Sequence, residues 1–317
     1  RLNFPCYINN EQLEITRDKI KFKECCRKYG VPVVKEYSSI DEVNEYPVIV
    51  KPTDRAGSIG ISIAHSFEEL EKAYQYAYDL SVEKRVIIEK YIQDEDKVDF
   101  YYLAENGNLT LLTSCDTVNA QNNDGSRVVQ TAWLYPEKYQ SSYNSKVKDN
   151  IEAMIRGMKI ENGCIFFSGF IDKNQNFVFF ECGYRLEGAH QYYYTQKRGP
   201  LDIFIFYALC GNTHDVSHIG INENMKCVTV NVFAKEGTIA KIQGLEEIAK
   251  MPDCTLALLH GRVGEQCKAD KAILDKICVF AFSSESVEQL KNDVDEAYSK
   301  LQIIDDMGND MIYDRLV

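Results

Sequence analysis

The 317 residues contain neither a Gly-x-x-x-x-Gly-Lys-Ser/Thr loop nor a Gly-x-Gly-x-x-Gly fingerprint, so two widespread phosphate-cradling motifs are excluded. Basic charge is in deficit, with 36 Lys and Arg against 48 Asp and Glu and a formal charge of -12. That deficit argues against a nucleic-acid partner, because phosphate backbones bind basic surface. Any bound phosphate must therefore meet locally placed cations. The eleven cysteines include the adjacent pair Cys25-Cys26 but no Cys-x-x-Cys, and the five histidines make no ligand spacing with them. Zinc is thereby disfavoured. A disulfide framework is disfavoured too, since the cysteines are scattered through apolar runs of a large chain. We expect reduced thiols in a cytoplasmic protein. No apolar run reaches membrane-spanning length and no signal peptide opens the chain, so no membrane partner is expected. The first residue is Arg1 rather than Met, from which we expect a fragment that has lost an N-terminal domain.

What is present begins with a lysine at the end of an apolar strand, Val48-Ile49-Val50-Lys51-Pro52, followed by the small, glycine-rich loop Ala56-Gly57-Ser58-Ile59-Gly60. Glycines let backbone N-H groups approach phosphate oxygens in conformations that a Cβ forbids. The lysine supplies a point charge. This order suggests a nucleoside triphosphate held between Lys51 and a flexible lid; the plain alternative is a surface lysine and a turn. Upstream, Thr16 is the expected N-cap of a helix reaching about Tyr29, with Gly30 closing it and Pro32 beyond. Lys19 then lies in the first turn, where a cation opposes the helix dipole unless an anion sits nearby. Downstream, Ser66 and Glu69 predict a capping box for a helix buried through Leu70, Ala73 and Ala77. A strand over Arg85 to Glu89 leads into Glu89-Lys90-Tyr91-Ile92, a crossover whose backbone could meet an adenine edge.

From Val98 the pattern is antiparallel: Val98 to Leu103, a turn at Asn106-Gly107, then Leu109 to Ser114. Residues Ala120 to Pro136 read as an irregular polar loop. Val147, Ile151, Met154, Ile155 and Met158 follow at helical spacing. A second hairpin joins Cys164–Ile171 to Phe177–Glu181, and the last residue places a carboxylate at the end of an apolar strand, where it needs a cation or a close ligand. Arg185 can supply the cation. The remaining hundred or so residues read as a small α+β unit, from the strand Val228–Phe233 to a helix over about Glu285–Leu301, with no cluster that would make a site of its own.

The ordered series Lys19, Lys51, Gly57-Ser58-Ile59-Gly60, Glu89-Lys90-Tyr91-Ile92, Glu181 and Arg185 resembles the ATP-grasp superfamily. The stretch Gly237 to Gly244 looks like the closing domain of its branch containing L-amino acid ligases, purine-pathway ATP-grasp enzymes and biotin carboxylase. The resemblance implies an α+β fold of two lobes sandwiching a nucleotide, residues 1–92 with the glycine-rich loop and 93–222 with the metal and substrate site. It further implies a small α+β closing domain, 223–317, and from it we expect that the family's N-terminal Rossmann-like domain is missing. It implies an ATP- and Mg2+-dependent ligase joining a small-molecule carboxylate to an amine through an acyl phosphate, with a homodimer as the candidate assembly.

The resemblance also assigns residues. Lys19 and Lys51 contact phosphates, Gly57, Ser58 and Gly60 close over them, and the backbone of Lys90 and Ile92 meets adenine beside Tyr91. Lys97 stands where many relatives have a ribose-contacting Glu or His. Glu181-Cys182-Gly183-Tyr184-Arg185 stands for the motif Glu-x-Asn-x-Arg, with glycine at the asparagine position and Ser168 at the first acidic one. Glu181 and Ser168 are thus the candidate metal positions, and Arg185 and Lys51 the catalytic ones. Substrate candidates are Arg127 for a carboxylate and Glu187 or His190 for an amine. Two readings remain open here, a ligase and an ATP-binding module of weak or no activity; a biotin carboxylase is a third, weaker one.

Overall fold

In the computed structural model the described residues are 7–55, 59–93, 95–121, 128–185, 224–268 and 275–315. They divide between two compact units. The first takes the chain up to Ser114 and again from Glu137 to Arg185; the second takes Cys115 to Pro136 and the C-terminal part from residue 224.

The first unit opens with two short helices, α1 (Asn10–Arg17) and α2 (Lys19–Lys28). The single helix expected from a Thr16 N-cap is broken at Asp18. The Asp18 carboxylate accepts the N-H groups of Ile20 and Lys21 (2.9 and 3.0 Å) and caps α2 itself, while Thr16 donates its hydroxyl to Gln12 O within α1. An Asp cap satisfies two otherwise orphaned donors, so the chain restarts a helix there. Gly30, at φ +71°, ends α2 as expected, with Val31 N-H donating back to Cys26 O at 2.9 Å.

A four-stranded antiparallel sheet follows, in the order β1 (Glu36–Tyr37), β4 (Val86–Lys90), β2 (Val48–Pro52), β3 (Ser62–Ala64). Helix α3 (Phe67–Leu80) buries Leu70, Ala73 and Ala77 against Val48, Val50 and Ile88. Its Ser66 cap accepts from Glu69 N-H, and the Glu69 carboxylate reaches His65 N-H. The hairpin of β5 (Asp96–Glu105) and β6 (Asn108–Gln121) turns at Asn106-Gly107, both at positive φ. Strands β8 (Gly163–Ile171) and β9 (Phe177–Gly183) pair antiparallel beside β5. The period-2 pattern sends Val98, Phe100, Tyr102, Ile165, Phe167, Phe177 and Phe179 into one core with α2 and α5 (Lys148–Gly157), while α4 (Gln140–Lys146) adds Tyr143.

The second unit has the antiparallel strand order β12 (Cys254–Leu259), β14 (Lys276–Ser284), β10 (Lys226–Phe233), β7 (Val128–Tyr135), with the end of β6 beyond. Strand β7 corrects the loop expected over 120–136, whose described residues are strand apart from Pro136. Ala132, Trp133 and Leu134 lie in register with both β6 and β10, and neighbouring strands, not local propensity, supply the partners. The three-stranded sheet β13 (Gln266–Cys267), β11 (Gly237–Gln243), β15 (Gln302–Asp305), the short helix α6 (Leu245–Ile248) and α7 (Val287–Lys300) complete this unit around Val230, Phe280, Phe282 and Ile303. The nine described cysteines are all free thiols, seven of them buried. Among the described residues no helix is long and apolar enough to cross a membrane.

Candidate active site

The centre of the first unit's polar site is a carboxylate. Glu89, on β4 and 1% exposed, lies between two lysines: Lys51 from β2 at 2.6 Å and Lys23 from α2. The antiparallel register brings Glu89 opposite Ile49, two positions before Lys51, and the Lys51 side chain spans the offset. Burial alone would raise the Glu89 carboxyl; the Lys51 and Lys23 charges outweigh it and hold it below the ordinary glutamate range. Lys23 is 0% exposed and also donates to Val34 O at 2.8 Å. Lys51 is 7% exposed and its ammonium lies 5.2 Å from the centre of the Phe180 ring.

Lys19 enters at the first position of α2, where the Asp18 cap fixes its backbone and Lys19 N-H donates to Thr53 O (3.2 Å). Its ammonium donates to Arg55 O at 2.7 Å. Burial pushes this lysine below the ordinary lysine range; Glu181 pulls against that shift, and Lys51 reinforces it. The charges of Glu181, Lys51 and Glu89 therefore all reach Lys19. Asp18 is not part of the free charge, being ion-paired to Arg85.

The face of the sheet opposite the apolar core carries the remaining residues in cross-strand rows. Asp99 on β5 is opposite Ser168 on β8, and Ser168 is opposite Glu181 on β9. Residues so opposed project to the same side. A bulge at Ser168/Gly169 inserts Phe180 beside Glu181. The Phe180 ring then lies 5.0 Å from that of Phe170, and 6.0 Å from the Lys97 ammonium. Lys97, 8% exposed, pairs with Asp99 at 3.1 Å. In the next row, Phe166 is opposite Gly183. A Cβ on Gly183 would come within 2.4 Å of the Phe166 ring, and Arg185 lies over that same ring at 5.1 Å. Gly183 is thus required by Phe166: Gly183→Asn is expected to lower unfolding stability by about 1–3 kcal/mol through overpacking. Phe166→Leu in the same chain is expected to recover part of it, as thermal unfolding of the wild type and the two variants will show.

Thr16, Arg17, Lys19, Arg55, Glu181 and Arg185 line one cavity of about 280 Å3. Glu181 is the half-buried carboxylate facing it, with the buried Ser168 hydroxyl as its cross-strand neighbour. Among the described residues no group of three or more His, Cys, Asp or Glu is placed to hold a metal. The donor set fits a magnesium ion bound through one carboxylate and the oxygens of a ligand, since magnesium keeps waters and is commonly held that way. It does not supply an all-protein cage.

Comparison with known proteins bears on the fold. The family model for the D-ala D-ala ligase C-terminus matches residues 20–162. The L-amino acid ligase of Bacillus licheniformis superposes with a TM-score of 0.74 at 18% identity, over 92% of this chain and 73% of that one. The biotin carboxylase domain of Hydrogenobacter thermophilus 2-oxoglutarate carboxylase, solved with MgADP and bicarbonate, superposes at 0.72 and 18% identity, over 94% and 67%. The chain carries the ATP-grasp fold. The carbamoyl phosphate synthase large chain of Methanothermobacter thermautotrophicus is 26% identical to this ATP-grasp chain over 165 residues, which make up 49% of the chain and only 15% of that relative.

Within the ATP-grasp chain the residues expected at the site fall into three groups. Lys19, Lys51, Glu89, Lys97, Ser168, Glu181 and Arg185 lie where the pairs, rows and cavity above place them. Lys90 N-H donates to Lys35 O (2.9 Å) and Tyr91 N-H to Pro47 O (3.2 Å), so these two donors serve the protein's own backbone; Ile92 is half-buried just beyond. Gly57, Ser58, Arg127, Glu187 and His190 lie outside the described residues. Of the loop, Gly60 is described: at φ +76°, a Cβ there would stand 2.6 Å from Pro52, so glycine alone fits. Three residues escaped the sequence reading. Lys23 had a signal in its i+4 spacing from Lys19. Asp99 had one in its alternation with Lys97 between Val98 and Phe100. Phe180 had none, because a bulge moves it.

Proposed function

We propose that this chain is the nucleotide-binding part of an ATP-dependent carboxylate-amine ligase, in which residues 1–92 and 93–222 form the two lobes and 223–317 the closing domain. The observation that carries the reading is one cavity lined by Lys19, Glu181 and Arg185, beside a Lys51 held ready by a buried carboxylate. Lys19 and Lys51 meet the phosphates of ATP, with Gly57, Ser58 and Gly60 above them, and the Glu89 to Ile92 crossover meets adenine, with Tyr91 packing beside it. Lys97 stands at the ribose side. Glu181, with the Ser168 hydroxyl next to it, holds Mg2+ together with phosphate oxygens; when bound, that ion neutralises charge on the transferring phosphoryl group.

In this reading a substrate carboxylate oxygen attacks the γ-phosphorus, and the bond to the β-phosphate oxygen breaks as ADP leaves with its electron pair. The nitrogen of an amine then attacks the acyl carbon and gives up a proton, and the carbon–oxygen bond to phosphate breaks. The residues contribute positioning and charge, not a protein nucleophile. Arg185, with its planar fork, stabilises the acyl phosphate and the tetrahedral oxyanion. Arg127 pairs with a substrate carboxylate, and Glu187 or His190 recognises the amine. Assembly as a homodimer belongs to the same proposal, the 2-oxoglutarate carboxylase structure being described as a domain dimer.

The test is phosphate release from ATP by the full-length protein with magnesium, across pairs of amino acids and small acids with amines. Release that requires both partners supports a ligase; release with none of them counts against it. In parallel, Glu181→Gln is expected to weaken magnesium-dependent binding of a non-hydrolysable ATP analogue by about tenfold or more, the scale of one contact to a charged group. Calorimetry with and without Mg2+ checks it. A second reading, a nucleotide-binding module with little or no turnover, draws support from Ser168 at the first acidic position and from Asp99 being engaged by Lys97. It predicts analogue affinity that is nearly independent of magnesium and unaltered by Glu181→Gln.

A further inference from the structure

The reaction proposed above leaves unused the most deeply buried lysine among the described residues, Lys23. It follows Lys19 by one helical turn, but points away from the cavity into β4 and β1. Its ammonium meets Glu89, Val34 O at 2.8 Å and Glu36 at 3.5 Å, and at 0% exposure it has no route to a ligand. Taking an ammonium wholly out of water is costly, and a methionine would fill the same space without that cost. The charge of the cluster shows what the lysine changes. Lys23, Lys51 and Arg27 face Glu89 and Glu36, leaving one positive charge in excess. Arg27 and Glu36 pair with each other on the more exposed side, so the excess belongs to the Lys23–Glu89–Lys51 line. Without Lys23, Glu89 and Lys51 would close into a neutral pair, and Lys51 would offer a phosphate no net charge.

We propose that Lys23 is a positioning residue for nucleotide phosphate: by occupying one oxygen of Glu89 it leaves Lys51, held on the other, charged toward the ligand. The inference rests on the reading that the site takes a nucleoside triphosphate. A ligand without phosphate should not sense Lys23, whereas a polyanion should, and a residue of merely structural importance would affect both alike.

The experiment is calorimetric titration of the full chain with adenosine and with a non-hydrolysable ATP analogue, on the wild type, Lys23→Met, Lys23→Arg and Lys23→Met/Glu89→Gln. Lys23→Met is expected to bind the analogue at least about tenfold more weakly while adenosine changes less than about twofold. Lys23→Arg is expected to keep most of the analogue affinity. The double variant, neutral at both positions, is expected to return to near the wild-type value. That arm stands alone if Lys23→Met does not fold. A folded Lys23→Met with unchanged analogue affinity, equal losses for both probes, or a double variant as weak as a Lys23 loss would overturn the inference. A wild type that binds neither probe would overturn the nucleotide reading and this inference with it, which separates that failure from the others.

Discussion

Glu89→Gln is expected to lower the unfolding free energy by about 3–5 kcal/mol, the scale for removing one member of a buried ion group. Two ammoniums, on side chains 0% and 8% exposed, would be left against an amide that cannot carry the balancing charge. The same variant tests the pH dependence. The folded-state pKa of Glu89 is depressed by Lys51 and Lys23, against the effect of burial. Its contribution is therefore fully present above the ordinary glutamate pKa, and is lost as the pH falls through the depressed value. Urea unfolding at neutral pH and at a series of acid values should show this acid-linked loss in the wild type and a shallower one in Glu89→Gln. Lys23→Met/Glu89→Gln, with only Lys51 left charged, should be less destabilised than Glu89→Gln alone. A Glu89→Gln protein as stable as the wild type would mean that the carboxylate does not balance these lysines.

Lys51→Met should do the opposite, sparing the fold and abolishing the ligand. Glu89 keeps its partner in Lys23, so stability should fall by much less than in Glu89→Gln. Binding of an ATP analogue should weaken by about 100-fold, or about 2.7 kcal/mol, as expected for losing a contact between an ammonium and a charged phosphate. The two variants together form a crossed test: one loses stability more than binding, the other binding more than stability. Unchanged affinity in a folded Lys51→Met would place the phosphates elsewhere and remove the main support of the proposed function.

How far each feature could be read from the chain follows from the range of the interactions behind it. Leu70, Ala73 and Ala77 announce the buried face of α3, Asn106-Gly107 announces a hairpin turn, and Gly30 announces a helix end, because each pattern is local and acts within a few residues. The break between α1 and α2 was also local, but ambiguous: Thr16 and Asp18 are both good caps, and the second prevails because its carboxylate reaches two N-H groups and pairs with Arg85, 67 residues away. Strand β7 was hidden for a different reason. Its polar neighbours read as loop, and only pairing with β6 and β10 gives its backbone partners.

The order of Lys19, Lys51, the glycine-rich loop, Glu89, Glu181 and Arg185 along the chain, with the apolar alternation around it, was enough by itself to specify an α+β chain of the ATP-grasp kind. Tertiary structure alone decided what each charge faces. Glu89 stands 38 residues from Lys51 and 66 from Lys23, and the register of β2 and β4 with the seat of α2 makes those three one cluster. A period of two tells which face a side chain takes but not its neighbour on the next strand. The row Asp99, Ser168, Glu181, the displaced Phe180 and the Phe166 ring over Gly183 therefore exist only once three strands have paired, because Coulomb and steric terms depend on distance in space and not on separation in sequence.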